Sequence, residues 1–206
     1  MGKHQPSDVR RAQIIQAAIE VCADKGYHAS RIDDIAACAG LSKGAVYHHF
    51  ESKQEVFLAV VETIMQEAAQ FVGHLDDSGA SVLETMRRTV ELLMAMFRER
   101  PRLLRGIFEL FFLSARDPEF RDRTVGYYDR MIEVTERVIR HGMGRGELDP
   151  EVDASTAARV FIMGGDGLLL ILLLLERHEL AETSMKLLTE LLFRGMVQLP
   201  GEGSTR

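Results

Sequence analysis

Apolar residues recur at intervals of three and four along almost the whole chain, and no stretch alternates apolar and polar positions long enough to argue a strand. The pattern predicts an all-α protein. Its first helix covers about residues 8–25, with Ile15, Ala18, Ile19 and Cys22 on one face, and Gly26 ends it. Two short helices follow. A longer helix over about residues 52–72 then carries Phe57, Val60, Val61, Ile64, Ala68 and Phe71 on a broad apolar face. Residues 73–80, GHLDDSGA, are predicted to be a loop. Further helices are predicted over 81–100, 101–116 and 118–142. A loop through Gly142, Gly144 and Gly146 leads to Asp149, a candidate cap, and to Pro150 at the first helical position. Two last helices cover about 151–178 and 180–199, and the tail GEGSTR is expected to be disordered.

The stretch from Ser30 to Glu55, SRIDDIAACAGLSKGAVYHHFESKQE, has the layout of a helix-turn-helix motif followed by a freshly capped helix. Ser30 and Asp33 stand three apart, as do Ser52 and Glu55, and each pair fits a capping box. Gly40 permits the left-handed residue that ends a helix, and Ser42 can cap the next one, so the turn is Ala39-Gly40-Leu41-Ser42. The second short helix, over 43–50, presents Lys43, Gly44, Ala45, Tyr47 and His48 outward, while Val46, His49 or Phe50 face the fold. Small residues at Gly44 and Ala45 let the backbone approach base edges. Tyr47 and Lys53 are assigned to phosphate; Arg31, Lys43 and His48 are assigned to phosphate or base; Ser42, Gly44 and Ala45 complete the DNA-binding set. Taken singly, each is an ordinary surface residue of a three-helix domain; the spaced set points to DNA.

The segment IDDIAACAGLSKGAVYHHFESKQEVF resembles the N-terminal signature of the TetR family of transcriptional regulators. The matching residues are Ile35-Ala36, Ala39-Gly40-Leu41-Ser42, Gly44-Ala45, Tyr47 with Phe50, and Ser52-Lys53. Arg31 departs from the pattern, which usually has Thr there. The resemblance covers roughly residues 8–60; beyond it only the layout is shared. It implies a DNA-binding head over 1–54 with an arm at 1–7, a ligand-binding and dimerisation domain over 55–200, and a tail at 201–206. It also implies a dimer that binds a double-stranded DNA operator, represses transcription and is released by a small-molecule effector.

Charge is distributed to suit that division. The chain has a formal net charge of −6, but residues 1–54 carry seven Lys/Arg against six Asp/Glu, a net of +1, and the remainder carries −7. An acidic body repels DNA away from the intended face. With 46% hydrophobic residues the chain is a globular protein. Cys22 and Cys38 lie on apolar helical faces at no metal-ligand spacing and are expected to be reduced core thiols of a cytoplasmic protein. His141 and His178 are isolated near helix ends.

Leu168 to Leu175, LLLILLLL, cannot be one-sided on a helix. Asp166 interrupts the run and Glu176 and Arg177 close it, which argues against a membrane span. A helix packed on its own subunit and on a second copy accounts for it, with Leu168, Leu172, Leu175, Leu188, Leu191 and Leu192 at a two-fold interface. A candidate effector pocket is lined by Met94, Phe97, Phe108, Phe111, Phe112, Tyr127, Tyr128, Met131 and Phe161, with plain core packing as the competing account of each. A long apolar or weakly polar effector fits such a lining. No phosphate loop, paired-carboxylate site or nucleophile beside a spaced His is present in the sequence, so no enzyme activity, cofactor or metal is expected. The competing function is an architectural DNA binder with no effector.

Overall fold

In the computed structural model, residues 7–197 are described, and among them are nine helices and no strand. In chain order these are α1 (Ser7–Ala29), α2 (Ile32–Cys38), α3 (Lys43–Tyr47), α4 (Lys53–Asp77), α5 (Val82–Glu99), α6 (Pro101–Ser114), α7 (Pro118–Gly144), α8 (Ala154–Leu174) and α9 (His178–Arg194). The all-α reading is therefore correct. Most of the arm and the whole 201–206 tail lie outside the described residues, as do the last residues of the final predicted helix.

Several boundaries differ from those the periodicity predicts. Gly26 does interrupt the first helix, at φ 76°, but a further helical turn follows it to Ala29. The final helix starts and stops early, and α8 begins at Ala154 because Asp153, not Asp149, is its cap: the Asp153 carboxylate accepts the Ser155 and Thr156 N–H groups at 3.0 and 3.3 Å. Asp149 instead accepts the Glu151 N–H at 2.9 Å, holding a turn. α4 does not stop before Gly73; it continues to Asp77.

The chain packs as two compact units. One comprises residues 7–66 and 96–127, the other 67–95 and 128–197; the grouping thus places α6 with the first three helices, which a division after residue 54 does not. α4, α5 and α7 contribute residues to both units.

In the first unit, α1 buries Ile14, Ile15, Ala18, Ile19 and Cys22, and it packs on α6, whose Leu103, Leu104, Ile107, Phe108 and Leu110 are also buried. Their close approach depends on Gly106: a Cβ there would lie 2.9 Å from Cys22 Sγ and 3.3 Å from Tyr27 Cβ. The Arg102 guanidinium donates to the Asp24 carbonyl, and Arg123 lies 3.7 Å from Glu62. Cys22 is buried, and burial pushes its thiol up to about 12; Cys38, expected in the core, is exposed and lies 3.3 Å from Glu20.

In the second unit, α8 packs on α9 where Gly165 meets Met185 Cε, with Phe161 edge-on to Phe193 at 5.5 Å. His141 is not isolated: its Nδ1 lies 2.7 Å from Oδ2 of the buried Asp76, and Arg145 bonds Glu147 at 2.6 Å while Glu147 accepts the Val82 N–H. The side chain of His178 is outside the described set. Two helices, α4 and α8, are long and apolar enough to cross a membrane by length and composition, and each is in part buried within the chain.

Candidate nucleic-acid interface

α2 ends in a Schellman motif. Leu41 N–H donates to the Ala36 carbonyl at 2.8 Å and Gly40 N–H to that of Ala37 at 3.1 Å, with Gly40 at φ 65°. Ser42 Oγ then accepts the Ala45 N–H at 3.2 Å and opens α3. Gln13 reaches from α1 to donate to the Ala39 carbonyl at 2.6 Å, fixing the turn against the first helix. Ile35, Ala36, Val46 and Phe50 are buried beneath it. The turn is thus held by four separate devices, which suits a rigid probe.

The start of α2 is shifted by one residue from the expected capping box. Arg31 occupies the cap position, and Asp34, not Asp33, accepts the Arg31 N–H at 3.0 Å. Ser30 Oγ turns back to donate to the Gly26 carbonyl at 2.6 Å. Guanidinium has no acceptor, so Arg31 cannot do what a Thr at the cap would, and only half of the box is made. The Ser52–Glu55 pair holds α4: Ser52 Oγ accepts the Glu55 N–H at 3.1 Å, while Glu55 accepts the Glu51 N–H at 2.6 Å.

α3 ends at Tyr47, three residues short of its expected length, and His48 caps it. Of the residues assigned to DNA, Arg31, Ser42, Lys43, Gly44, Tyr47 and His48 are exposed, and Ala45 and Lys53 are partly so. Tyr47 is 47% exposed, one of the large apolar side chains the chain leaves at its surface. Two lysines are less free than a bare reading of the sequence implies. Lys53 is drawn inward, its Nζ 4.3 Å above the Tyr27 ring and 3.3 Å from the His28 carbonyl, and burial lowers its pKa. Lys43 Nζ lies 3.0 Å from Asp33 Oδ2, and that hydrogen bond raises its pKa. Sequence reasoning missed this pair, and the Gln13 clasp as well. Both join residues ten or more apart that share no helix face, so no local spacing reveals them.

Comparison with known proteins decides the lineage. Residues 14–60 match a family profile described as bacterial regulatory proteins of the tetR family, and residues 82–194 match one described as the C-terminal domain of BetI-type transcriptional repressors. The chain belongs to the TetR family of transcriptional regulators. SrpR, an HTH-type transcriptional regulator of Pseudomonas putida, is 31% identical over 153 residues, covering 73% of this chain and 69% of that protein. FasR, an HTH-type transcriptional activator of Mycolicibacterium smegmatis, is 39% identical over 111 residues, covering 54% of this chain and 42% of the relative. Among solved structures, FadR from Bacillus subtilis in complex with stearoyl-CoA superposes with a TM-score of 0.71 at 20% identity, covering 90% of this chain and 98% of that one, and so shares the fold. A TetR-type regulator acts by binding DNA through its helix-turn-helix, and the relatives are named as regulators, not enzymes.

The residues assigned to an effector pocket are divided between the two units: Phe97, Phe108, Phe111, Phe112 and Tyr127 in the first, Met94, Tyr128, Met131 and Phe161 in the second. Met94, Phe97, Phe108, Tyr127 and Phe161 are buried. Phe112 is 62% exposed and does not belong to an interior lining. At about 100° per residue it lies at one edge of the α6 stripe, and the buried arc is displaced toward Leu103 and Leu110 on the other edge. Tyr128 donates to Asp166 at 2.7 Å, and burial raises the pKa of both groups. Of the expected interface leucines, Leu175 and Leu191 are exposed, at 59% and 65%; Leu168, Leu188 and Leu192 are partly so. Leu172 is 6% exposed, buried within the single chain, and so offers a partner almost no surface. It points into the chain because it follows Leu169 and Gly165 on the buried face of α8, at intervals of three and four.

Proposed function

We propose that this regulator is a dimeric repressor which reads a pseudo-palindromic operator with α3 and is released by a small apolar effector. The single observation that carries the DNA-reading part is the rigidly capped α3 with Lys43, Gly44, Tyr47 and His48 exposed along it. Paired heads would read half-sites about one helical turn, roughly 34 Å, apart. Dimerisation is supported by the exposed Ile171, Leu174, Leu175, Leu187 and Leu191 on α8 and α9, a density of apolar surface that a lone domain does not ordinarily leave in water. Repression is supported by the match to a profile described for repressors.

Release follows from the connectivity. α4 begins beside the reading helix with the Ser52 cap and its last turns belong to the second unit, so a ligand that prefers one arrangement of α4 shifts the spacing of the two reading helices. It does so only by its differential affinity for the two states.

Selective enrichment from random duplexes, followed by anisotropy titrations, tests the reading. An enriched pseudo-palindrome bound by a dimer is expected. Tyr47→Phe should weaken all duplexes alike, whereas His48→Ala should change base preference. A monomer with no preference over random competitor rejects the proposal. Since FadR of Bacillus subtilis was solved with stearoyl-CoA, fatty acids and acyl-CoA thioesters form the first effector panel. Unchanged operator affinity under saturation by every compound that binds would reject the release step.

A further inference from the structure

The cations of the head are mostly engaged within the chain. Arg10 donates to Gln13 at 3.0 Å, Arg11 lies 5.1 Å above the Phe50 ring, Lys25 pairs with Asp34 at 2.8 Å and Lys53 is drawn over Tyr27. Lys43 opens α3 and is the lysine of that helix, and it too has a partner: Asp33 Oδ2, at 3.0 Å, on α2. The two adjacent carboxylates of α2 have different tasks. Asp34 holds the Arg31 N–H and Lys25, so it serves the start of its own helix and α1. Asp33 faces the reading helix. Its side chain and that of Lys43 are 62% and 54% exposed, so the pair sits where a duplex would approach α3 rather than inside the motif.

A carboxylate within hydrogen-bond reach of an ammonium competes with any phosphate for it. Sequence-independent binding consists almost entirely of phosphate neutralisation with release of counterions, so that competition falls on it in full. Binding at an operator draws in addition on base-edge contacts from other groups such as His48, which the carboxylate on Lys43 does not oppose.

We infer that Asp33 is an internal stand-in for a DNA phosphate on Lys43, neutralising the leading cation of α3 until a site offers that lysine a better-placed acceptor. It makes Asp33 a specificity-determining positioning residue that acts through Lys43 without touching DNA, a cost imposed on wrong sequences. The inference rests on the DNA-reading proposal above.

The test uses the full chain: wild type, Asp33→Asn, Asp33→Glu, Lys43→Gln and the Asp33→Asn/Lys43→Gln double variant. Each is titrated by anisotropy against the enriched duplex and a random duplex, from roughly 50 to 200 mM salt. Asp33→Asn is expected to bind the random duplex about two- to fivefold more tightly, the range an exposed pair allows, and the enriched duplex by a smaller factor. The slope of log affinity against log salt should steepen by about one per engaged head. Asp33→Glu should behave as wild type. In the Lys43→Gln background Asp33→Asn should have no effect.

Three results overturn the inference. Weaker operator binding by Asp33→Asn would mean that Asp33 presents Lys43 for reading. The same gain in the Lys43→Gln background would assign the effect to loss of a negative charge, not to the pair. No change at all would mean that the pair is without consequence. A wild-type protein that shows no preference for the enriched duplex fails at the first titration, before any variant, and rejects the DNA-reading proposal itself.

Discussion

Gly40 and Gly73 both lie between helical stretches with polar, turn-forming residues after them, and the chain treats them in opposite ways. At Gly40 the backbone turns to φ 65°, two amide bonds close a Schellman motif, and Ser42 starts the next helix. At Gly73 the helix runs on for four more residues, and the positive φ comes only at Gly79. The difference lies in the neighbours. Val72 and Asp76 flank Gly73 and both are buried, Asp76 with His141 Nδ1 at 2.7 Å. Placing both inward requires the helix to continue between them. Gly40 therefore ends a helix because a Schellman motif and the Ser42 cap take over the backbone groups there, whereas Gly73 sits between two buried residues that keep the helix going and merely weakens it by about 0.5–1 kcal/mol.

The largest test of that contrast is Gly40→Val. A β-branched residue at positive φ is strained wherever there is space for it, and the loss should be about 2–3 kcal/mol with operator binding abolished, read by thermal melts and anisotropy. Next is Asp76→Ala, which removes the buried acceptor that holds the last turn of α4 to α7. A loss of about 2 kcal/mol is expected in melts, with amide exchange accelerated over residues 73–77. Gly73→Ala should act in the opposite direction from Gly40→Val: no atom lies within 4 Å of the added Cβ, and a gain of about 0.5–1 kcal/mol is expected. A loss instead would show that Gly73 is needed as glycine and would break the comparison.

Acid gives the smallest effect. Asp34 is held below the usual carboxylate range by its hydrogen bond to Lys25 and then by the Arg31 N–H; Asp153 is held low by the Thr156 side chain and then by backbone N–H groups. A depressed folded-state value means that each contribution is complete above the ordinary Asp value of about 4 and is lost as the pH falls through the lower folded one. Helical signal should therefore decline below about pH 4, and Asp34→Asn should make that decline shallower. An unaltered acid profile in this variant would remove Asp34 from the account.

The motif that names the family was legible because its signals are local. Gly40, Ser42 and the pair of small residues at Gly44-Ala45 act within one turn of where they stand, and the structure uses the Gly40 and Ser42 signals as their positions suggest. The α2 cap was misassigned by one residue because two i, i+3 frames overlap at SRIDD, Ser30–Asp33 and Arg31–Asp34, and the Asp34 of the second is also bonded by Lys25, nine residues before it on another helix. Phe112 and Leu172 were misplaced for a related reason. Apolar periodicity identifies a face, while the edge of that face depends on what the helix leans against.

The order of residues alone determined that the chain is helical, where the reading helix begins and that two apolar helices close the chain, since each follows from interactions within three or four positions. Only the tertiary structure decided that α4 passes through Gly73, that Cys38 stays exposed and that Lys43 meets Asp33. Those outcomes depend on groups far apart in sequence competing for burial or for the same hydrogen bond, and the winner is set by which of them the packed helices bring within reach.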